Sequence, residues 1–396
     1  MHNFRRIFLY LPATLADLSC AMLLLGSVLY GTNLGASTIE VGWIGAAYGL
    51  SYLLMPAIIG RVGDKLPRKT SLVIAALAQI SVALFYLFVV ATTFDLIVGQ
   101  FLLGIANGFH WPALEAYISE QTGISHSSHS KRIANFCIAW SIGYSLGPFI
   151  AGVFSDYNVR DAFLLVFFLT IINFSIVVAG FSSERSIKSP NKTVPSLEQI
   201  VPVDSSLEKR HKTPDREFYA LLIGIIVYVS AAKIVLSYFT NYAKLPEGLG
   251  WNGTLVGVVL LCFGIGRTVY FIIGRFLENS LRLIRIAVII EGSLLVTLIF
   301  LKDLWSVGLI MGIFGLFGGL IYFQTLEMLL RHEQRAKGAK AGLFESMIGL
   351  GGSLSPLLAG FLAEIDLLLP FGVFAGFTFI FFLLQYFFTK NVLSGN

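Results

Sequence analysis

Charged side chains are scarce in this chain, at 13% of its 396 residues against 56% hydrophobic. Globular domains carry about a quarter charged residues, so an ordinary soluble protein is excluded. Cysteine is nearly absent. Cys20, Cys137 and Cys262 all fall inside apolar runs, which excludes a disulfide framework. Those runs lack the polar-apolar alternation of barrel strands. No phosphate-cradling P-loop is present, which excludes ATP-driven work by this chain alone. His126 and His129 share a short polar loop, but no further ligands join them and no other His, Cys, Asp or Glu cluster converges. Neither a metal nor a cofactor is therefore expected, and the chain is not read as an enzyme.

What the chain has is hydrophobic length. Twelve apolar segments, from Phe8–Tyr30 to Leu367–Phe388, each approach the roughly 20 residues that a membrane-crossing helix needs. Only helices or closed barrels satisfy their backbone groups in lipid, so continuous apolar runs predict a helical, multi-pass protein with the bilayer as its partner. The first run is too long for a signal-peptide core and no small-residue cleavage site follows it, so it reads as a retained helix. Most of the 28 Lys and Arg residues fall in alternate connections, among them Arg61, Lys65, Arg68, Lys69, Lys131, Arg132, Arg282 and Arg285. Cations in short loops stay on the cytoplasmic side, which predicts both termini there and the inner (plasma) membrane as location. The net charge of +5 thus records topology and gives no reason to expect nucleic acid. One long polar stretch, 182–216, rich in Ser, Pro, Lys and Glu, reads as a flexible linker between two six-span units, 1–181 and 217–396.

Internal echoes support that division. Phe136, Gly143, Ser145, Leu146, Pro148, Ala151 and Gly152 recur at a constant offset as Phe344, Gly351, Ser353, Leu354, Pro356, Ala359 and Gly360. Between the second and third spans lies Gly60-Arg61-Val62-Gly63-Asp64-Lys65-Leu66-Pro67-Arg68-Lys69, with a worn copy beginning at Gly274. This loop resembles the signature Gly-x-x-x-Asp-x-x-Gly-Arg-Lys of the major facilitator superfamily. Gly60, Asp64, Arg68 and Lys69 match it, and Pro67 replaces the second glycine. Gly143-x-x-x-Gly147-Pro148 similarly resembles the span-five motif of the family's exporters.

The resemblance implies an all-α fold of twelve transmembrane helices in two pseudo-symmetric six-helix bundles, working as a monomer by alternating access. It implies that Asp64 caps a neighbouring helix and that Arg68 meets Glu115 or Glu120, contacts that form when the cytoplasmic side is closed and break when it opens. Gly143, Gly147, Pro148 and Pro356 are expected to serve helix packing. Proton-coupled relatives often carry an arginine early in span four, whereas this chain has Gln100 before Gly104 and Gly108.

Ionisable residues inside spans are costly and mark function by default. Asp17 is expected to couple transport to a proton or another cation, with a structural hydrogen bond as the alternative. Lys233 offers a site for an anionic group or a partner for a carboxylate. Arg267 and Glu291, on consecutive helices, are expected to pair, with anion binding by Arg267 as the alternative. Asn107, His110 and Gln324 add polar groups near the midplane. The pattern Gly143-Tyr144-Ser145-Leu146-Gly147 spells a nucleophile elbow, but inside an apolar helix it lacks the strand-to-helix turn that motif needs. These features predict a secondary transporter of a small organic solute, by proton-coupled efflux, with uptake of a small anionic metabolite or a non-transporting sensor as alternatives.

Overall fold

The computed structural model describes residues 2–63, 67–120, 126–181, 215–331 and 337–393. They form twelve helices: α1 (His2–Asn33), α2 (Thr38–Gly63), α3 (Arg68–Phe88), α4 (Thr93–Glu120), α5 (His126–Ser155), α6 (Val159–Gly180), α7, α8 (Gly253–Gly274), α9 (Leu281–Phe300), α10 (Leu304–Arg331), α11 (Lys337–Ala363) and α12 (Leu369–Leu393). Helix α7 runs from Asp215 to Lys233, passes through a π-helical turn at Ile234–Tyr238 and ends as Phe239–Lys244. The expected linker lies almost wholly outside the described residues, as does Asp64 of the signature loop. Because twelve helices alternate in direction, the start of α1 and the end of α12 share one end of the bundle, called here the terminal end.

Ten of the described helices are long and apolar enough to cross a membrane. The described parts of the other two, α2 and α4, are more diluted by Gly, Ser, Tyr and Asn. Helix α2 lies against α11 and α4. The polar punctuation between helices is local chemistry: Asn158, Asn252 and Ser280 cap α6, α8 and α9 through their side-chain oxygens.

The two halves, α1–α6 and α7–α12, meet along two helix pairs, α2 with α11 and α5 with α8. The sequence echo between α5 and α11 becomes a packing rule here. Gly143 faces the α1 backbone at Thr14 and Leu18, and its counterpart Gly351 faces the α7 backbone at Ile226 and Ser230. A second echo escaped the sequence reading. On α2, Gly42 meets Pro356 and Gly360 while Gly49 meets Gly352 and Ser353; on α8, Gly257 meets Pro148, Phe149 and Gly152 while Gly264 meets Ser145. Each half thus presents the same small-residue face to the other's Gly-Pro helix, which lets the backbones approach closely. The preceding loops match as well, since Gly35 (φ 82°) and Gly250 (φ 64°) are the positive-φ residues of the described chain. Glycine adopts that left-handed conformation without a Cβ clash.

Candidate functional site

Between the halves lies a central cavity enclosing about 690 Å³ of non-atom space, counting what opens to solvent. Its wall comes from α1, α2, α4 and α5 of the first half and α7, α8, α10 and α11 of the second. Helices α3, α6, α9 and α12 contribute nothing to it and stand outside.

Three of the residues singled out in the sequence converge there. Asp17 of α1, Lys233 of α7 and Arg267 of α8 all line the cavity and are 6%, 8% and 3% exposed. Asp17 lies within electrostatic reach of both cations. The Lys233 ammonium stands 5.1 Å from the centre of the Tyr48 ring. It is the last α-helical residue before the π-turn, a feature that often marks functional sites because it re-aims the side chains around it.

Arg267 does not pair with Glu291. The guanidinium turns inward, stacked 4.6 Å from the Trp140 ring, 4.8 Å from Tyr144 and 5.5 Å from Phe263. Its Nε donates to Ser141 Oγ at 3.1 Å, and its Nη2 has no hydrogen-bond partner. Glu291 is fully buried on α9 with both carboxyl oxygens unpartnered. The pairing fails because consecutive helices need not turn the same faces together: α8 packs on α5 and α10 with Arg267 towards the centre.

Two expected cavity residues lie elsewhere. Gln324 accepts from the Ser280 amide at 3.0 Å and donates to Tyr270 Oη at 3.0 Å, bracing the start of α9 near the terminal end. His110 is fully buried edge-on to Trp111, its ring centre 5.1 Å away, and neither ring nitrogen has a partner. Asn107 stands one layer behind the wall. It accepts from Gln79 Nε2 at 2.9 Å and donates to the cavity residue Tyr48 at 3.4 Å, while Asn173 donates to Gln79 at 3.2 Å. Gln100, in the place of the family's arginine, donates to Leu23 O, Ser27 Oγ and Tyr86 Oη and ties α4 to α1 and α3.

The contact expected between Arg68 and Glu115 is not made. Glu115 turns towards the second half, where its carboxyl lies against Glu345 without a well-aligned hydrogen bond of its own. The Glu120 side chain and Asp64 lie outside the described residues, as does the side-chain environment at Gly60. Lys69 donates to Val178 O at 2.7 Å, satisfying a carbonyl near the C-terminus of α6. Gly147 meets Ala21, Leu18 and Met22 of α1, and Pro148 and Pro356 face the α8 and α2 glycines. Ser145 is helical, with its hydroxyl on Ser141 O, so no nucleophile elbow exists.

The sequence reading missed the aromatic wall. Tyr48 and Tyr52 stack at 5.3 Å on α2, and Trp140 of α5 meets Tyr322 of α10 at 5.0 Å across the halves. Tyr144, Tyr228 and Trp111 complete it, and no phenylalanine lines it. A legible signal existed, since tyrosine and tryptophan are enriched at the membrane interfaces, and in mid-span their polar tips favour the protein interior over lipid.

At the end opposite the termini, two acids at matching positions join the halves. Asp156, in the α5–α6 turn, accepts from the Gly253 amide at 2.7 Å, the Thr254 amide at 2.8 Å and Thr254 Oγ1 at 2.6 Å, and so receives the N-terminus of α8. Its counterpart Glu364 accepts from Thr38 Oγ1 at 2.6 Å at the start of α2. Burial pushes the Asp156 carboxyl up, but the bonds from Thr254 and Gly253 outweigh it and hold the group below the usual carboxylate range. A depressed group stabilises above its ordinary range and loses that contribution as pH falls through its own value. Asp156→Asn is therefore expected to lower the melting temperature of the purified protein at neutral pH, through about 0.3–1 kcal/mol of lost attraction between the charge and the α8 N-terminus, kept small by solvent exposure. The difference should hold at neutral pH and fade only in strong acid, as the pH drops below the ordinary carboxylate range and through the depressed value of the Asp156 carboxyl. An equal deficit in acid would show that charge plays no part in this latch.

A family model described as Major Facilitator Superfamily matches residues 8–333. The class B tetracycline resistance protein of Escherichia coli is 24% identical over 322 residues, covering 79% of this chain and 76% of that protein. The quinolone resistance protein NorA of Staphylococcus aureus (strain COL) is 24% identical over 346 residues, covering 86% and 85%. Among solved structures, the nucleoside transporter NupG superposes with a TM-score of 0.68 at 15% identity, covering 98% of this chain and 99% of its own. The human organic anion transporter MFSD10 (TETRAN) does so with a TM-score of 0.69 at 13% identity, covering 96% and 97%.

Proposed function

The chain belongs to the Major Facilitator Superfamily and is a membrane transporter, and from that premise we propose that it exports a small, aromatic-compatible organic molecule in exchange for protons. The observation that carries this reading is the cavity between the halves, walled by tyrosine and tryptophan and holding Asp17 beside two buried cations. Aromatic walls take flat apolar bodies with little demand on shape, and the charged groups orient whatever polar handle the cargo has. The tetracycline and quinolone resistance relatives support the outward direction. The units 1–181 and 217–396 rock about the α2–α11 and α5–α8 faces, with both termini in the cytoplasm of a cell whose inner membrane the protein spans as a monomer.

Asp17 is the carboxylate that exchanges a proton for cargo as access alternates. Everted membrane vesicles with an acid interior, offered cationic, zwitterionic and anionic fluorescent aromatic dyes, test this. Accumulation that collapses with the pH gradient is expected for the parent protein and is expected to be lost in Asp17→Asn. Undiminished gradient-driven accumulation by that variant would rule Asp17 out.

A second reading, an anionic cargo, is favoured by one observation: Arg267 reaches the cavity with Nη2 unpartnered and without a carboxylate bound to it. Lys233 on the facing helix would add a second positive charge. The anion transporter among the structural neighbours is consistent with it.

A further inference from the structure

We propose that Glu115 and Glu345 share one bound proton while the terminal ends of the two halves are packed together, and release it to water when that end opens. This second proton site, separate from Asp17, rests on the proton-coupled reading above.

The geometry sets it apart from the rest of the cavity. Glu115 belongs to α4 of the first half and Glu345 to α11 of the second, and both lie towards the terminal end of their helices. They are 6% and 4% exposed, and their carboxyls lie within interaction range of each other. Tyr52 of α2 donates to Glu345 Oε2 at 2.5 Å. Neither Glu115 oxygen makes a well-aligned hydrogen bond, although the side chain is buried. The other titratable groups facing the two acids are Tyr322 of α10 and Tyr52 of α2, each within reach of both, and, by reach to one member, Cys137 of α5 and Asp17 of α1. Arg267 and Lys233 act on Asp17.

Two carboxylates held close together in a poorly solvated interior repel strongly. One proton on the pair removes that repulsion. Glu345 also lines the cavity, so the proton has a path to the pair when the far end is open. Opening the terminal end draws α4 away from α11 and lets water reach both acids. The O–H bond then breaks, the proton passes to water, and each helix keeps a hydrated carboxylate. Reclosure of that end needs the proton again, so the pair makes closure depend on proton occupancy.

Infrared difference spectroscopy on the full chain in nanodiscs, titrated from about pH 5 to about pH 9 without cargo or gradient, reads this proton directly. The expected result is loss of a protonated-carboxyl carbonyl band with rising pH. Glu115→Gln and Glu345→Gln should each abolish that component, while Asp17→Asn and Glu291→Gln retain it. Survival of the component in both glutamine variants, or its disappearance in Asp17→Asn alone, would overturn the assignment. Tyr52→Phe keeps the test open if the glutamine variants misfold: it removes only the donor to Glu345, and the carbonyl band should move to higher frequency. A band unmoved by that change would equally overturn the proposal. Failure of proton-driven export is read separately in the vesicle assay, so the two ideas fall independently.

Discussion

Arg267→Ala is expected to weaken binding of anionic ligands about tenfold to a hundredfold, and Arg267→Lys to recover little of the loss. A charge-assisted hydrogen bond to a buried ionised group contributes about 1.5–3 kcal/mol, and every 1.4 kcal/mol is a factor of ten. The guanidinium is held on three ring faces, by Trp140, Tyr144 and Phe263, with Nε on Ser141 and Nη2 left for a ligand. An ammonium on a flexible stem has neither the planar stacking surface nor the fork of donors. A thermal-shift screen of purified protein against anionic, cationic and zwitterionic aromatics identifies ligands, and calorimetric titration of wild type and variants checks the ratio. Equal affinities for every anionic ligand would exclude Arg267 as the anion site and with it the second reading of the cargo. Loss of cationic ligands instead would mean that the arginine orients Asp17.

The other large effect is mechanical. Gly143→Leu is expected to prevent accumulation of folded protein. A Cβ at Gly143 would stand 2.9 Å from the Leu18 amide nitrogen and 3.0 Å from the Thr14 carbonyl carbon, both in the backbone of α1, which cannot yield as a flexible side chain does. Overpacking by methylene groups costs about 1–3 kcal/mol even where side chains can shift, and here the whole α1–α5 crossing would have to separate. Gly372→Leu is the matched control, because a Cβ there has nothing within 4 Å. Fluorescence-detected size exclusion of tagged variants should show a monodisperse peak for Gly372→Leu and none for Gly143→Leu. A normal peak and melting temperature for Gly143→Leu would mean that α1 and α5 can part without loss, contrary to the packing described here.

These expectations draw on different layers of information. Gly143 was legible in the chain because its echo Gly351 repeats at a constant offset, and a residue that must be small in both halves is under a backbone constraint. Asp17, Lys233 and Arg267 were legible because an ionisable group in a span is expensive wherever it points. Their partners were not. Glu291 looked like the natural mate of Arg267 at equal depth on the next helix, yet Arg267 turned to Ser141 and Trp140 on α5. Glu115 matched an expected latch with Arg68, yet it lies against Glu345 from the other half. Gln324 looked like a midplane residue and instead holds the Ser280 amide at the start of α9.

The amino-acid sequence alone determined that this protein is a twelve-span helical bundle built from two related halves. Hydropathy over about 20 residues and the recurrence of Gly-Pro patterns are local properties that survive without knowledge of neighbours. Only the tertiary structure decided which faces meet. A helix advances about 100° per residue, so one residue's difference in rotation moves a side chain from lipid to cavity, and that rotation is set by packing against other helices. The aromatic wall, the free donor of Arg267, the Asp156 latch and the Glu115–Glu345 contact all arise from that rotation, which brings together residues far apart in the chain.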